Sequence, residues 1–360
     1  MLEFSNQSNW VGALYPDWDY QQQHQLTAVF KVSYQFDETG QLSPIEDAPP
    51  LVEADEHQGD ALTSSLKAAN EIMPFKEGSE FYLYGTAYPE REGLIAMEVG
   101  VGILFTDKTK WKKVLRVFGK RQWKKTMVNY IHGDNPLSVE EIPLSYEYAF
   151  GGTNQEDDED AFAANPCGIG YNSDQRNLIT NELPRIELGP GFMTSPMQKP
   201  TPAGFGPLPV FWEPRVSDTG EPVEDPAAQG GCPYSKAAKR CVHNVAPSDQ
   251  RFKKPFKGGE VIHLRALVAG VSHQKAVQIV LPELKPQLYT IINNEAELLS
   301  PVCDTVVINT DEKTVSMIYR AGIPWRLTDR RKGWVVLKDQ EVEELPYDKE
   351  GRDAPRMASN

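Results

Sequence analysis

The chain has 360 residues, of which 40% are apolar and 24% charged, and its formal net charge is -14. It is longer than the roughly 250–300 residues at which a single core usually stops growing, and its ordinary apolar content excludes wholesale disorder. The acidic balance argues against nucleic acid as the main partner, because phosphate binding needs a basic surface.

The first ten residues are polar, so a secretory leader is not expected. The longest apolar stretches, 266–271 and 278–281, fall far short of the ~20 residues of a spanning helix. Cys167, Cys232, Cys241 and Cys303 lack short paired spacing and are expected as reduced thiols. The expected location is therefore the cytoplasm, away from the membrane.

Residues 25–36 alternate apolar and polar side chains (Leu26, Ala28, Phe30, Val32, Tyr34 and Phe36 on one face), which predicts a strand ending in the turn composition of 37–40. The spacing predicts a short helix over 61–69 with Asp60 as its N-cap. Segments 80–88 and 94–104 predict a β-hairpin around the turn-like 89–93, and 111–118 and 126–131 predict the next strands. Within 108–125, Lys108, Lys110, Lys112, Lys113, Arg116, Lys120, Arg121, Lys124 and Lys125 are read as a solvated strand face rather than a nucleic-acid groove.

The run Gln155, Glu156, Asp157, Asp158, Glu159 and Asp160 predicts a solvated, mobile stretch. From there to about 226 prolines and glycines are frequent and periodicity is poor. So long a segment reads as packed but irregular, anchored by Phe192, Phe205, Phe211 and Trp212. Strands are predicted again at 260–270, 276–281, 288–294, 305–309 and 314–319, the last two as a hairpin. A second hairpin is expected from 325–329 and 334–338, followed by a frayed tail.

The expected fold is mainly β, with antiparallel sandwich-like sheets, few short helices and a long irregular Pro/Gly-rich middle. It divides into an N-terminal β region (1–150), the irregular segment (151–259), a C-terminal β region (260–346) and a tail (347–360), with one continuous domain as the alternative.

Chemistry finds no firm home in these residues. Asp55, Glu56, His57 and Asp60 are suitable types for a metal site or an acid–base pair, but three are consecutive, and a turn explains Asp60. Cys232, Cys241 and His243 lack the paired spacing of structural zinc. Ser145, Ser195 and Ser248 have no nucleophile-elbow context, and Gly151-Gly152, Gly204-Phe205-Gly206 and Gly258-Gly259 lack the Lys-Ser/Thr of a phosphate loop. No catalytic residue, metal or cofactor is assigned.

An ordered series of motifs runs through the chain: Trp10, Gly12, Tyr15 and Trp18; 55–60; Pro74-Phe75-Lys76-Glu77-Gly78-Ser79-Glu80; 115–123; Ile142-Pro143-Leu144-Ser145-Tyr146-Glu147-Tyr148-Ala149-Phe150-Gly151-Gly152. It continues with Asn165-Pro166-Cys167-Gly168, 183–187, Pro202-Ala203-Gly204-Phe205-Gly206-Pro207, Asn244-Val245-Ala246-Pro247-Ser248-Asp249-Gln250 and Lys257-Gly258-Gly259-Glu260. From about Leu14 to Leu284 this series resembles the effector adaptor or chaperone family of type VI secretion systems. Gln58, where the family often has an aromatic, and the 229–240 segment depart from the pattern.

The resemblance implies a non-enzymatic cytoplasmic protein that binds an effector, commonly one carrying a PAAR-type spike tip, and loads it onto the VgrG spike. The residues expected at a partner surface are Arg116, Arg121, Trp123, Tyr146, Glu147, Arg185 and Phe205, since arginine and aromatics are enriched in interface hot spots. The competing reading of these residues is buried Arg–Glu pairing that fixes irregular loops. Two other functions stay open, a metal-dependent or carbohydrate-active hydrolase using 55–60, and a structural component of the spike assembly.

Overall fold

The computed structural model describes residues 2–127, 129–133, 136–174, 178–189, 193–226, 231–292, 295–325 and 333–338. The protein is mainly β, as its alternating segments predict, and among the described residues its one α-helix is Arg215–Thr219. Three larger sheets of seven, five and four strands carry the fold.

The strand His24–Phe36 lies deep in the seven-stranded sheet, between Val11–Trp18 and Thr314–Pro324, and Leu42–Pro44 also pairs with it. The sheet continues through Val302–Asn309 and Ser79–Tyr84 to the short Arg251–Phe252. Val302–Asn309 and Thr314–Pro324 form the expected hairpin, with Asn309 Oδ1 accepting from the backbone N–H groups of Asp311 and Glu312 in its turn. The five-stranded sheet runs Ile186–Leu188, Lys110–Phe118, Ala96–Leu104, Val261–Arg265, Ala276–Val280, all antiparallel. The four-stranded sheet joins Leu2–Asn6 in parallel to Gly333–Lys338, then adds Gln287–Ile292 and Glu295–Leu299.

One face of each sheet meets in a common apolar core. Phe30, Val306 and Met317 come from the first, Val99, Leu115 and Ile262 from the second, and Leu288, Val335 and Leu337 from the third. Residues from both the 1–150 and the 260–346 regions therefore share this core.

Several expectations are corrected. The strands 80–88 and 94–104 do not form a hairpin. Ser79–Tyr84 runs parallel to Val302–Asn309, and Ala96–Leu104 sits at the centre of the other sheet. Ser79–Tyr84 is buried along nearly its whole length, so it needs neighbours on both edges, and distant strands supply them. The helix predicted over 61–69 is absent. Asp60 Oδ1 accepts from Leu62 N as a cap would, but Glu147 then captures the Ser65 N–H (2.9 Å) and draws the chain into the strand Leu66–Ala68. The strand predicted at 126–131 is instead a tight hairpin of Trp123–Lys125 and Tyr130–His132.

The acidic run, expected to be mobile, folds back as a hairpin of Thr153–Asn154 and Asp157–Ala161. Asp160 ties that hairpin down by accepting from the hydroxyls of Tyr171 and Ser173. Of the proposed anchors, Phe205 and Trp212 are buried whereas Phe211 is exposed, and Phe192 lies outside the described residues. Of the hairpin expected at 325–329 and 334–338, residues 326–332 lie outside the described residues, and Gly333–Lys338 pairs with Leu2–Asn6 and Gln287–Ile292. The tail 347–360 also lies outside them. Among the described residues no helix is long and apolar enough to cross a membrane.

The second face of the seven-stranded sheet is covered by the irregular segments around 50–77 and 244–250, and it carries buried charge. Lys31 Nζ lies 2.7 Å from Glu71 Oε2 and donates to the Pro50 carbonyl at 2.6 Å. Glu71 Oε2 also accepts from the backbone N–H of Val52. Removing one partner of such a pair leaves an uncompensated buried charge. Lys31→Met is therefore expected to lower unfolding stability by about 3–5 kcal/mol. Lys31→Met with Glu71→Gln should lose less, and urea denaturation of both variants checks the order.

Candidate functional site

The motif-rich blocks fold as loops, and their polar side chains bind the backbone of other loops. Asn165 Nδ2 donates to the carbonyls of Tyr146 (2.8 Å) and Phe150 (3.0 Å). Gln250 Nε2 donates to those of Phe81 and Phe205 at 2.8 and 2.9 Å. Glu80, fully buried beside Lys76, accepts from the N–H groups of Val245 and Ala246. Burial alone would raise the Glu80 pKa, but Lys76 and these N–H donors hold it below the ordinary carboxylate range.

The seven residues expected at a partner surface separate into two groups. Tyr146, Phe205 and Trp123 are buried. The Tyr146 hydroxyl donates to the Gly206 carbonyl, and its ring fills the space beside Gly204, where a Cβ would sit 2.6 Å from Cζ. Trp123 packs with Phe150, Tyr171, Leu183 and Met193, and its ring meets His132 edge-on. Glu147 is held by the N–H and hydroxyl of Ser65. These four serve loop packing.

Arg116, Arg121 and Arg185 lie together where Lys110–Phe118 meets Ile186–Leu188. Arg116 pairs with Glu98 at 3.3 Å on the outward side of the sheet. Arg121 stacks on Phe118 with its Cζ 3.6 Å from the ring centroid, and its Nη2 reaches Glu187 Oε1 and the Pro184 carbonyl at 2.6 Å each. Arg121 and Arg185 line a cleft of about 600 Å³ with Lys120, Tyr148, Leu183 and Glu182. Gly119 beside it is required by contact, since a Cβ there would lie 1.8 Å from the Leu137 carbonyl oxygen.

The outward face of the five-stranded sheet leads into this cleft. Its central strand presents Glu98, Gly100 and Gly102 there. Gly100 is flanked in register by Val114 and Arg265, and Gly102 by Lys112 and His263. Lys112, Arg265, Ala276, Gln278 and Val280 are exposed, and Val114, Arg116 and His263 are half-buried. Among the described residues, no side chain stands at the floor where Gly100 and Gly102 lie. A Cβ on Gly100 would meet Val114 Cγ2 at 3.5 Å, and one on Gly102 the Trp111 oxygen at 3.7 Å, both ordinary contacts. Sequence reasoning found the basic residues of this face but missed its glycines, although Gly-x-Gly inside an alternating strand was a visible signal.

The chain belongs to a known family. Residues 21–320 match the model of an uncharacterized protein family conserved in bacteria, DUF2169. That span covers the motif series from 55–60 onward and extends it through the Val302–Asn309 and Thr314–Pro324 hairpin as far as Arg320. Compared with curated proteins and with solved structures, this DUF2169 chain finds no match.

The chemical clusters weighed in the sequence take structural places. Asp55 Oδ1 accepts from Asn70 N, Glu56 lies 4.0 Å from Lys67, and Asp60 caps its turn. Among the described residues, no three His, Cys, Asp or Glu side chains gather as a metal site. Cys232 is buried and Cys241 half-buried, both thiols rather than disulfides. His243 packs edge-on against Phe75 (4.6 Å) and Tyr234 (5.5 Å), with its Nε2 buried and without a hydrogen-bond partner among the described residues.

Burial first, and then the Lys76, Arg320 and Arg215 cations, pull the His243 pKa from 6.5 down to about 3. His243 is thus neutral in the folded chain, while the unfolded chain protonates it below pH 6.5. Its contribution to stability is present above that pH and is lost as pH falls toward 3. At pH 5.5 the loss is about 1.4 kcal/mol. Thermal melts between pH 7 and 5 are expected to fall more steeply for the native protein than for His243→Gln.

Proposed function

We propose that this protein is a non-catalytic adaptor that binds a type VI secretion effector, of the kind carrying a PAAR-type spike tip, and promotes its loading onto VgrG in the cytoplasm. The observation that supports a binding role is the open outward face of the five-stranded sheet. Lys110, Lys112, Arg116 and Arg265 stand on it against two carboxylates, Glu98 and the buried Glu187 that Arg121 already answers, in a chain of net charge -14. Charge of one sign gathered on one face steers an oppositely charged partner and fixes its orientation.

Gly100 and Gly102 add a second argument. A glycine inside a strand weakens it by roughly 0.5–1 kcal/mol relative to alanine, and often marks a place where another backbone approaches closely. Neither glycine is needed for a turn or for internal contact, so the approaching backbone is best supplied by a partner. The secretion context rests on the ordered motif series between Trp10 and Glu260.

Co-expression with the spike-tip effector encoded nearest to this gene, followed by pull-down and size-exclusion chromatography, tests the role. The expected outcome is a discrete complex and an effector–VgrG association that requires this protein. Absence of binding to folded effector and spike would end the adaptor reading. Gly100→Thr with Gly102→Thr is expected to leave the melting temperature unchanged or raise it, because threonine favours strands, while weakening the effector complex at least tenfold. A destabilised variant would mean that the glycines serve the fold itself.

A further inference from the structure

The cleft beside the sheet holds an arginine whose charge the described chain does not answer. Arg185 lies on the segment 183–187, its backbone N–H donating to the Tyr148 carbonyl at 2.8 Å and its own carbonyl accepting from Phe118 N at 2.8 Å. Those two bonds hold the residue against the end of Lys110–Phe118. Its guanidinium sits with Cζ 5.5 Å from the Tyr148 ring centroid, and its Nε is buried without a hydrogen-bond partner. Among the described residues Arg185 has no ion pair, whereas Arg121, which also lines the cleft, is answered by Glu187.

A guanidinium stays charged at any physiological pH and carries five N–H donors in a planar fork. Burial of Nε removes water from that donor without replacing it, which is costly unless a ligand restores the bond. The Tyr148 ring lies within cation–π reach of the guanidinium, which favours keeping it at the cleft. Around it the cleft carries Lys120 and Arg121 against one exposed carboxylate, Glu182, and its apolar walls are Leu183, Ile169, Pro136 and Leu137. A planar anion with a short apolar stem fits this chemistry, and a carboxylate meets the fork through two parallel hydrogen bonds.

We propose that this cleft receives an acidic side chain, glutamate or aspartate, from the partner's docked segment, with Arg185 as its receptor. The proposal rests on the adaptor reading only for the partner's identity. The segment crosses the basic face of the five-stranded sheet and ends its contact at Arg185.

The test titrates the full chain with three labelled eight-residue peptides. One carries a single central glutamate between leucines and an amidated end, the second has glutamine in its place, and the third is the glutamine peptide with a free terminal carboxylate. Fluorescence anisotropy is expected to show the glutamate peptide binding at least tenfold tighter than the other two. Arg185→Gln should abolish that preference, and Arg185→Lys should retain part of it. The Nε–H resonance of Arg185 in the native protein, followed by NMR, is expected to shift with the glutamate peptide alone, a readout independent of how the variants fold.

Equal affinity for the glutamate and glutamine peptides, no binding of any peptide, or preference for the free terminus would each overturn the assignment. A complex with the co-expressed effector that survives Arg185→Gln at full strength would overturn it too, while leaving the adaptor reading intact. Failure of the native protein to bind effector at all would remove the adaptor reading and leave the cleft to be judged by the peptides.

Discussion

The Arg320 side chain illustrates the constraint on which the fold rests, that irregular backbone buried on a sheet must have its polar groups answered. From the second face of the seven-stranded sheet its guanidinium donates to the carbonyls of Glu71 and Met73 and pairs with Asp304, its Nε 2.7 Å from Oδ2. Segments without regular secondary structure cannot satisfy their own N–H and C=O groups, and each one left unpaired in a dry interior costs on the order of 1–3 kcal/mol. Lys31, Glu71, Glu80, Gln250, Asn165 and Arg320 all meet this demand, each by hydrogen bonds to loop backbone. They are polar side chains in nearly dry places, and they hold long loops in single conformations.

This arrangement gives the motif blocks a physical meaning. Asn165, Gln250 and Glu80 sit in three of those blocks, and each binds the backbone of another segment, which for Gln250 and Glu80 is far away in sequence. Gly204 leaves room for the Tyr146 ring, joining two more. The motif residues of this chain thus fix loops within it. The surfaces left over after this internal satisfaction are the basic face of the five-stranded sheet and the Arg185 cleft. There basic side chains outnumber the carboxylates that answer them among the described residues, and Gly100 and Gly102 meet only ordinary contacts.

The loops also position these surfaces. The segment 183–187 is held to the end of Lys110–Phe118 by the Phe118–Arg185 bond and to Tyr148 by a second. Tyr148 in turn follows Tyr146 and Glu147, one packed against Trp212 and the other tied to Ser65. A partner docking on the sheet would therefore meet a preformed surface, which lowers the ordering cost of association.

Alternation of period two carried most of the strands, because a half-buried strand writes its two faces directly into sequence. Residues 25–36, 111–118, 276–281 and 314–319 were legible for that reason, as was the hairpin whose turn Asn309 closes. Which strands pair across long stretches of sequence was not legible. Ser79–Tyr84 joins Val302–Asn309 across more than two hundred residues, and a hydrophobic strand does not name its neighbour. Nor did local propensity decide 61–69, where a helical start at Asp60 yields to Glu147 from a distant loop. The basic residues of the candidate site stood in plain view, but only the folded chain distinguishes Arg121, answered by Glu187, from Arg185, answered by nothing described. The amino-acid sequence by itself determined the strand-rich class, the acidic balance and the membership of DUF2169. The tertiary structure decided which charges are neutralised, because that depends on side chains meeting across loops whose separation in sequence carries no distance in space.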